Sequence, residues 1–217
     1  MTSPLRIDFI SDIACPWCVI GLRSLLKALD ETGVPAEIQL QPFELNPDMS
    51  LEGENTAEHV AKKYGSTPEH SGAVRDALKE HGAALGFAFN YGPESRIWNT
   101  FDAHRLLHWA GLQDDALALK QALFKLTFTD QRPTSDHAAL LDGVREAGLD
   151  VERARAILVT GEYAAEVREL EELWRRQGIH AVPSILFNRR WLLQGAQPPE
   201  VFARAIRDIV AGAAREA

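Results

Sequence analysis

The sequence predicts an α/β fold in which a mixed strand-and-helix frame is interrupted by a large, all-helical insertion. Three observations predict it. The first 47 residues read as strand, helix, strand. Residues from about 48 to 160 carry helical periodicity throughout, and the rest returns to helix, strand, strand, helix.

The first strand is "LRIDFIS", residues 5 to 11, where apolar and polar side chains alternate. Val19, Leu22, Leu25, Leu26 and Leu29 then recur at helical spacing, with Gly33 as the stop. "AEIQLQPFEL", residues 36 to 45, is a second strand with Pro42 marking its end or an edge. Helices are expected over 56–64, 67–85, 99–110, 113–128, 135–147 and 150–160. Thr67-Pro68-Glu69 looks like an N-cap followed by proline at the first helical position, and Gly86, Gly111 and Gly148 look like C-terminal stops. Residues 162 to 177 place Val167, Leu170, Leu173 and Trp174 on one helical face. "PSILF" and "RWLLQ" flank Asn188-Arg189 as a hairpin. The closing helix "PPEVFARAIRDIVAG" turns Phe202, Ala205, Ile206, Ile209 and Val210 inward.

The chain has 217 residues, 46% hydrophobic and 25% charged, with a formal net charge of −8. That acidity argues against a broad phosphate-binding surface, so no nucleic-acid partner is expected. No apolar run approaches the ~20 residues that span a bilayer, and the opening "MTSPLRIDFISD" lacks the features of a secretory signal. The expectation is a cytoplasmic protein without membrane partners. In that compartment thiols are kept reduced, and a close cysteine pair is more often catalytic or metal-binding than a static staple.

Both cysteines of the chain lie in "ACPWC". Pro16 suits the first helical position, which makes Cys15 the N-cap and Cys18 the third helical residue. A thiolate at the N-cap faces the free N–H groups of Trp17 and Cys18 and the positive end of the helix dipole. Its pKa is expected to fall below the free value of ~8.5. The spacing brings the sulfurs within disulfide reach, with Cys18 facing the core as the resolving thiol. Two other readings compete: a zinc site completed by His104 and His108, and a pair of inert buried thiols. A zinc site normally needs four ligands and there is no second C-x-x-C; inert thiols leave Pro16 unexplained.

Removing residues 48–160 leaves a thioredoxin-like order, with 1–47 and 161–217 as one discontinuous unit. "SDIACPWCVIG", "PFELNPDM", "NTFDAHRLLHWA" and "GIHAVPSILFN…LLQGAQPPEV" together resemble the FrnE-type branch of the DsbA-like thioltransferases over almost the whole chain. The resemblance implies a thioredoxin fold with a helical insertion and dithiol–disulfide chemistry on proteins or small thiols. It implies no cofactor besides the redox-active disulfide itself, with glutathione the candidate co-substrate; oligomeric state is left open. Related groups include polyketide-biosynthesis proteins, 2-hydroxychromene-2-carboxylate isomerases and kappa-class glutathione transferases. In the last two a serine commonly stands where this chain has Cys15. The chain departs from the family pattern at Ala181, where glycine is usual, and in "DQRPTSD".

The resemblance further implies a cis peptide at Val182-Pro183 beside the cysteines, with the Val182 backbone pairing an extended substrate. Trp17 is expected half exposed, as a shield over the disulfide or part of a substrate surface. Asn99, His104 and Arg105 fall in a family motif, and His104 is read as either facing the cleft over Cys15 or filling a polar core position. Gln194 and Gln197 are further candidates for the cleft wall. Asp12, three residues before Cys15, reads slightly better as an exposed strand-end carboxylate than as an inward proton acceptor for Cys18. The leading expectation is a thiol–disulfide oxidoreductase or isomerase; the alternatives are a glutathione-linked isomerase or transferase acting on an aromatic molecule, and a non-catalytic binding module.

Overall fold

A computed structural model describes residues 4–113 and 115–216. The chain opens with β1 (Leu5–Ser11), α1 (Pro16–Thr32) and β2 (Ala36–Pro42). The inserted block carries β3 (Glu54–Asn55), α2 (Thr56–Tyr64), α3 (Pro68–Ala84), β4 (Arg96–Ile97), α4 (Phe101–Gly111), α5 (Ala116–Phe128), α6 (His137–Glu146) and α7 (Val151–Thr160). The frame then resumes with α8 (Ala164–Arg176), β5 (Ser184–Phe187), β6 (Trp191–Gln194) and α9 (Pro199–Glu216).

The main sheet runs in the order β2-β1-β5-β6. β1 pairs with β2 in parallel, Leu5 opposite Ala36, and with β5 antiparallel, Phe9 opposite Ile185. Successive side chains of a strand point to opposite faces, and both faces of β1 are covered. Ile7 and Phe9, with Ile185 and Phe187, join the large core that includes Leu22 and Leu25 of α1 and Phe202 and Ile206 of α9. Ile10, one step along, packs instead with Phe43, Trp174 of α8 and Ile179. The large core continues without a break into Leu106, Leu119, Leu123 and Leu140 of the helical block. That continuity holds the block firmly over the end of the sheet where the cysteines lie.

Local signals explain most boundaries. Pro16 starts α1, and Gly33 ends it in the left-handed region. Thr67 Oγ1 accepts the His70 N–H ahead of α3. Asn188 and Arg189 both have positive φ, the geometry of a tight hairpin turn between β5 and β6. Asn188 also exchanges two hydrogen bonds with the Arg6 backbone, which fastens the hairpin to β1.

The structure corrects several expectations. The block is not purely helical, since β3 and β4 form a two-residue antiparallel ladder. Gly53 makes that ladder feasible: a Cβ there would meet the Ile97 carbonyl oxygen at 2.2 Å, and its φ is +69°. β2 stops at Pro42, three residues early. Gly111 remains within α4, whose C-cap is Leu112. Leu173 and Val210 are exposed rather than inward.

Candidate active site

The site forms where β1 runs into α1. Asp12 ends the strand and shapes the turn: its Oδ1 accepts the Ala14 N–H at 3.2 Å, and its carbonyl accepts the Cys15 N–H at 3.3 Å. Cys15 is the N-cap of α1 with extended backbone, and Pro16 occupies the first turn. The expected cap bond to the sulfur is not made in this state. Cys15 is a free thiol, as is Cys18, and an S–H must donate. It does so to the Val182 carbonyl at 3.6 Å, while the Cys18 N–H goes to the Cys15 carbonyl at 3.1 Å.

The two thiols differ in surroundings. Cys15 is 4% exposed but lines a cavity of about 690 Å³, whereas Cys18 is fully enclosed. Burial pushes the Cys18 thiol well above its ordinary pKa, and its hydrogen bond to Cys15 and the Cys15 charge add to the effect. Lys120 opposes them. Val182-Pro183 is a cis peptide, and Pro183 is buried against Gly21 of α1. A Cβ on Gly21 would lie 2.9 Å from Pro183 Cγ, so glycine is what lets the proline loop seat against the cysteine helix.

Asp12 is 0% exposed, contrary to its reading as a surface carboxylate. Beyond Ala14, it accepts the Leu45 N–H at 2.7 Å and the Thr100 hydroxyl at 2.8 Å, and His104 Nε2 lies 3.3 Å from Oδ1. Burial alone would raise its pKa. The hydrogen bond and charge of His104, then the Leu45 and Thr100 bonds, outweigh burial and hold the carboxyl below the usual range. Asp12 therefore ties the cysteine turn to the segment after β2 and to α4.

His104 is accordingly buried in this network and is not part of the cavity wall among the described residues. Asn99 is absent from that wall too, because its amide is committed: Nδ2 donates to the Met49 carbonyl at 3.0 Å and Oδ1 accepts the Phe101 N–H at 2.9 Å. Arg105 is spent on Asp102 and on the Glu162 and Ile157 carbonyls. His108 turns to Tyr163, so it does not join His104 and the thiols. Gln197 Nε2 donates to the Gln194 backbone carbonyl at 3.1 Å, and both residues are likewise outside the lining. Pro16, Trp17 and Val182 do line the cavity with Cys15. Trp17 is half-buried, with its ring 6.0 Å from that of His81.

Lys120 of α5 was not legible in the sequence. It is 1% exposed, its ammonium lies over the Phe124 ring at 4.9 Å, and it sits within electrostatic reach of Cys18, Asp12 and Cys15. Burial lowers its pKa to about 8, against the pull of those three groups. A second buried charge cluster stands behind the turn. Glu44 and Glu171 share the Arg168 guanidinium, which also covers the Phe101 ring at 3.8 Å. Glu44 Oε1 is buried without a partner among the described residues, and burial followed by the Glu171 charge raises its pKa to about 8.

A buried dithiol at a helix N-terminus, faced by a cis proline at a strand start, is the arrangement of thioredoxin-fold thiol chemistry. Residues 6–207 match the model of the DSBA-like thioredoxin domain, and the chain belongs to that family. Among solved structures it is similar to a probable DsbA oxidoreductase from Streptomyces coelicolor, 34% identical, with a TM-score of 0.87, covering 94% of this chain and 89% of that one. Two more distant structures share the fold. One is a 2-hydroxychromene-2-carboxylate isomerase, 12% identical with a TM-score of 0.71, covering 98% of this chain and 99% of that one. The other is the cytosolic disulfide reductase DsbM from Pseudomonas aeruginosa with GSH, 16% identical with a TM-score of 0.64, covering 95% and 99%. No curated protein matches the chain. Among the described residues no helix is long and apolar enough to cross a membrane.

Proposed function

We propose that the chain is a thiol–disulfide oxidoreductase or isomerase in which Cys15 attacks and Cys18 resolves. The observation that carries this reading is the asymmetry of the two thiols: one lines an open cavity, and its neighbour is fully enclosed beside a buried lysine. In the first step the Cys15 thiolate bonds to one sulfur of a substrate disulfide, and the other sulfur leaves as a thiolate and takes up a proton. In the second step the Cys18 thiolate attacks Cys15 and releases the remaining substrate thiol, so two electrons pass from the protein dithiol to the substrate. Pro16, Trp17, Val182 and Pro183 are the proposed substrate contacts. Asn99 and His104 act from behind, by fixing the start of α4 and by holding Asp12. We place the reaction in the cytoplasm, on disulfide- or thiol-containing proteins or glutathione; what supports this is the likeness to the cytosolic disulfide reductase DsbM, solved with GSH.

The test is trapping. Cys18→Ser removes the intramolecular exit and should leave substrates joined to Cys15, seen as adducts on non-reducing gels. Cys15→Ser should trap almost nothing, and equal trapping by both variants would sink the assignment of roles. Equilibration with glutathione fixes the direction: a potential near about −270 mV marks a reductant, and one near about −120 mV an oxidant. The size of the cavity and its aromatic side chains favour a second reading, a glutathione-linked isomerase or transferase acting on an aromatic molecule. That reading requires turnover of a non-disulfide aromatic substrate that survives Cys15→Ser.

A further inference from the structure

The charge of the cavity wall is opposite to that of the molecule. The chain carries 31 Asp and Glu residues against 23 Lys and Arg, yet no Asp or Glu is found among the described residues that line the cavity. Five potentially cationic side chains are: Arg75, Arg96, His59, His70 and His180. Two of these are already engaged. His59 pairs with Glu54 at 2.6 Å, and Arg96 donates to the Glu52 and Gly53 carbonyls.

Arg75 of α3 is different. It is half-buried, and no carboxylate or carbonyl lies within hydrogen-bonding distance of its guanidinium among the described residues. Tyr91, Cys15 and Arg75 line the same cavity, so the sulfur and the guanidinium open onto one space. Five donors in a planar fork, engaged by no described protein acceptor in the largely apolar wall of an open cavity, match the geometry of a carboxylate. Trp17, Tyr64, Trp98 and Phe128 supply flat apolar surface in the same cavity. Its volume, about 690 Å³, is in the range of small-molecule sites.

We propose that the substrate of this cavity is a low-molecular-weight, carboxylate-bearing disulfide with an aromatic or apolar body, whose carboxylate binds Arg75 while one sulfur meets Cys15. The proposal rests on the redox reading above and names its substrate class. In one turnover the substrate S–S bond breaks, a Cys15–substrate bond forms and is replaced by Cys15–Cys18, and two substrate thiols leave carrying the electrons of the protein dithiol.

The experiment follows oxidation of the reduced protein by two aromatic disulfides, the dianionic dithiobis(nitrobenzoate) and the neutral dithiodipyridine. Each rate is divided by that of dithiothreitol with the same reagent, which removes intrinsic reactivity. The wild type should favour the dianion, and added salt should reduce that preference. Arg75→Met should lower the normalised preference by about tenfold or more, the worth of a hydrogen bond to a charged group, and Arg75→Lys should fall between. Arg207→Met, an exposed charge on α9, controls for net charge and should keep the wild-type ratio. If Arg75→Met and Arg75→Lys both keep the preference, or the wild type has none, the substrate class is wrong while the redox chemistry stands. If neither reagent oxidises the Cys15–Cys18 pair, the redox reading fails and takes the proposal with it.

Discussion

The sulfur of Cys15 donates to the carbonyl oxygen of Val182 across 3.6 Å, so the reduced thiol is held by the residue that precedes the cis proline. Ionisation of Cys15 breaks that bond and frees the carbonyl for an incoming strand or ligand. Cys18 has no such exposure. Its enclosure and raised pKa predict that iodoacetamide at neutral pH modifies Cys15 well before Cys18. Peptide mapping by mass spectrometry checks it; equal labelling would mean that Cys18 reaches solvent.

Lys120 carries a second prediction. Its pKa is about 8 in the folded protein and about 10.5 when unfolded, so the folded state binds fewer protons between those values. Stability therefore carries a penalty below pH 8 that is relieved as pH rises toward about 10.5. The size is roughly 3 kcal/mol for a group this deeply buried. Lys120→Met should be more stable than the wild type at neutral pH by an amount of that order, with the gap closing in alkali, as read by urea unfolding. The same variant should slow disulfide formation by Cys18, since the cation that opposes its raised pKa is gone. A variant less stable at neutral pH would mean that the ammonium is well solvated.

How far the sequence carried these conclusions depends on the range of the signal. Pro16, Gly33, Thr67 and Asn188-Arg189 act on their immediate neighbours, and the elements they bound were legible. So was the placing of the cis Val182-Pro183 peptide beside Cys15, though only through the family resemblance, since no local rule joins positions so far apart. Asp12 was misread because its partners Leu45, Thr100 and His104 come from distant segments, and a lone carboxylate at a strand end looks solvated. Lys120 was invisible for a related reason: one lysine in "LALKQALF" reads as the polar face of a helix, and only the packed core shows that this face points at the thiols. β3 and β4 are two residues each, too short for any periodicity.

Asp12→Ala should be severe. It leaves the Leu45 and Ala14 N–H groups, the Thr100 hydroxyl and His104 without their acceptor in a buried place. Removing one partner from such a cluster costs about 3 kcal/mol or more. Because the folded pKa of Asp12 is lowered, its contribution is present above the unfolded value of about 3.9 and lost as pH falls through the folded one. Acid unfolding should therefore be less steep in Asp12→Asn, which keeps the shape but does not titrate. An unchanged acid limb would show that other carboxylates govern it.

Glu44 titrates in the opposite sense. Its folded pKa of about 8 lies above the ordinary carboxyl value, so its contribution is full in acid and lost as pH rises toward 8. Glu44→Gln removes that slope, keeps the Arg168 contact through its amide oxygen, and gives the orphaned Oε1 position a fixed amide. Its stability relative to the wild type should therefore increase steadily from about pH 5 to about pH 8. Thermal melts across that range decide it; a constant difference would mean that the carboxyl is already ionised in acid.

Gly21→Ala tests the seating of the proline loop on the cysteine helix. Alanine favours a helix interior over glycine by about 1 kcal/mol, so on propensity alone the change should stabilise α1. Packing argues the other way. The new methyl would lie 2.9 Å from Pro183 Cγ, inside contact distance of a ring that is itself buried, and in ordinary contact with Pro183 Cβ at 3.5 Å. Either α1 or the Val182-Pro183 segment must move, and overpacking of this kind costs about 1–3 kcal/mol. We expect a net loss of stability, together with weakening of the Cys15–Val182 contact, so that Cys15 alkylation changes as well as the melting temperature. Pro183→Ala removes the ring that the methyl strikes. In that background Gly21→Ala should cost much less, giving a coupling of about 1 kcal/mol or more in a double-mutant cycle. Additive effects would place the clash elsewhere and separate Gly21 from the geometry of the thiols.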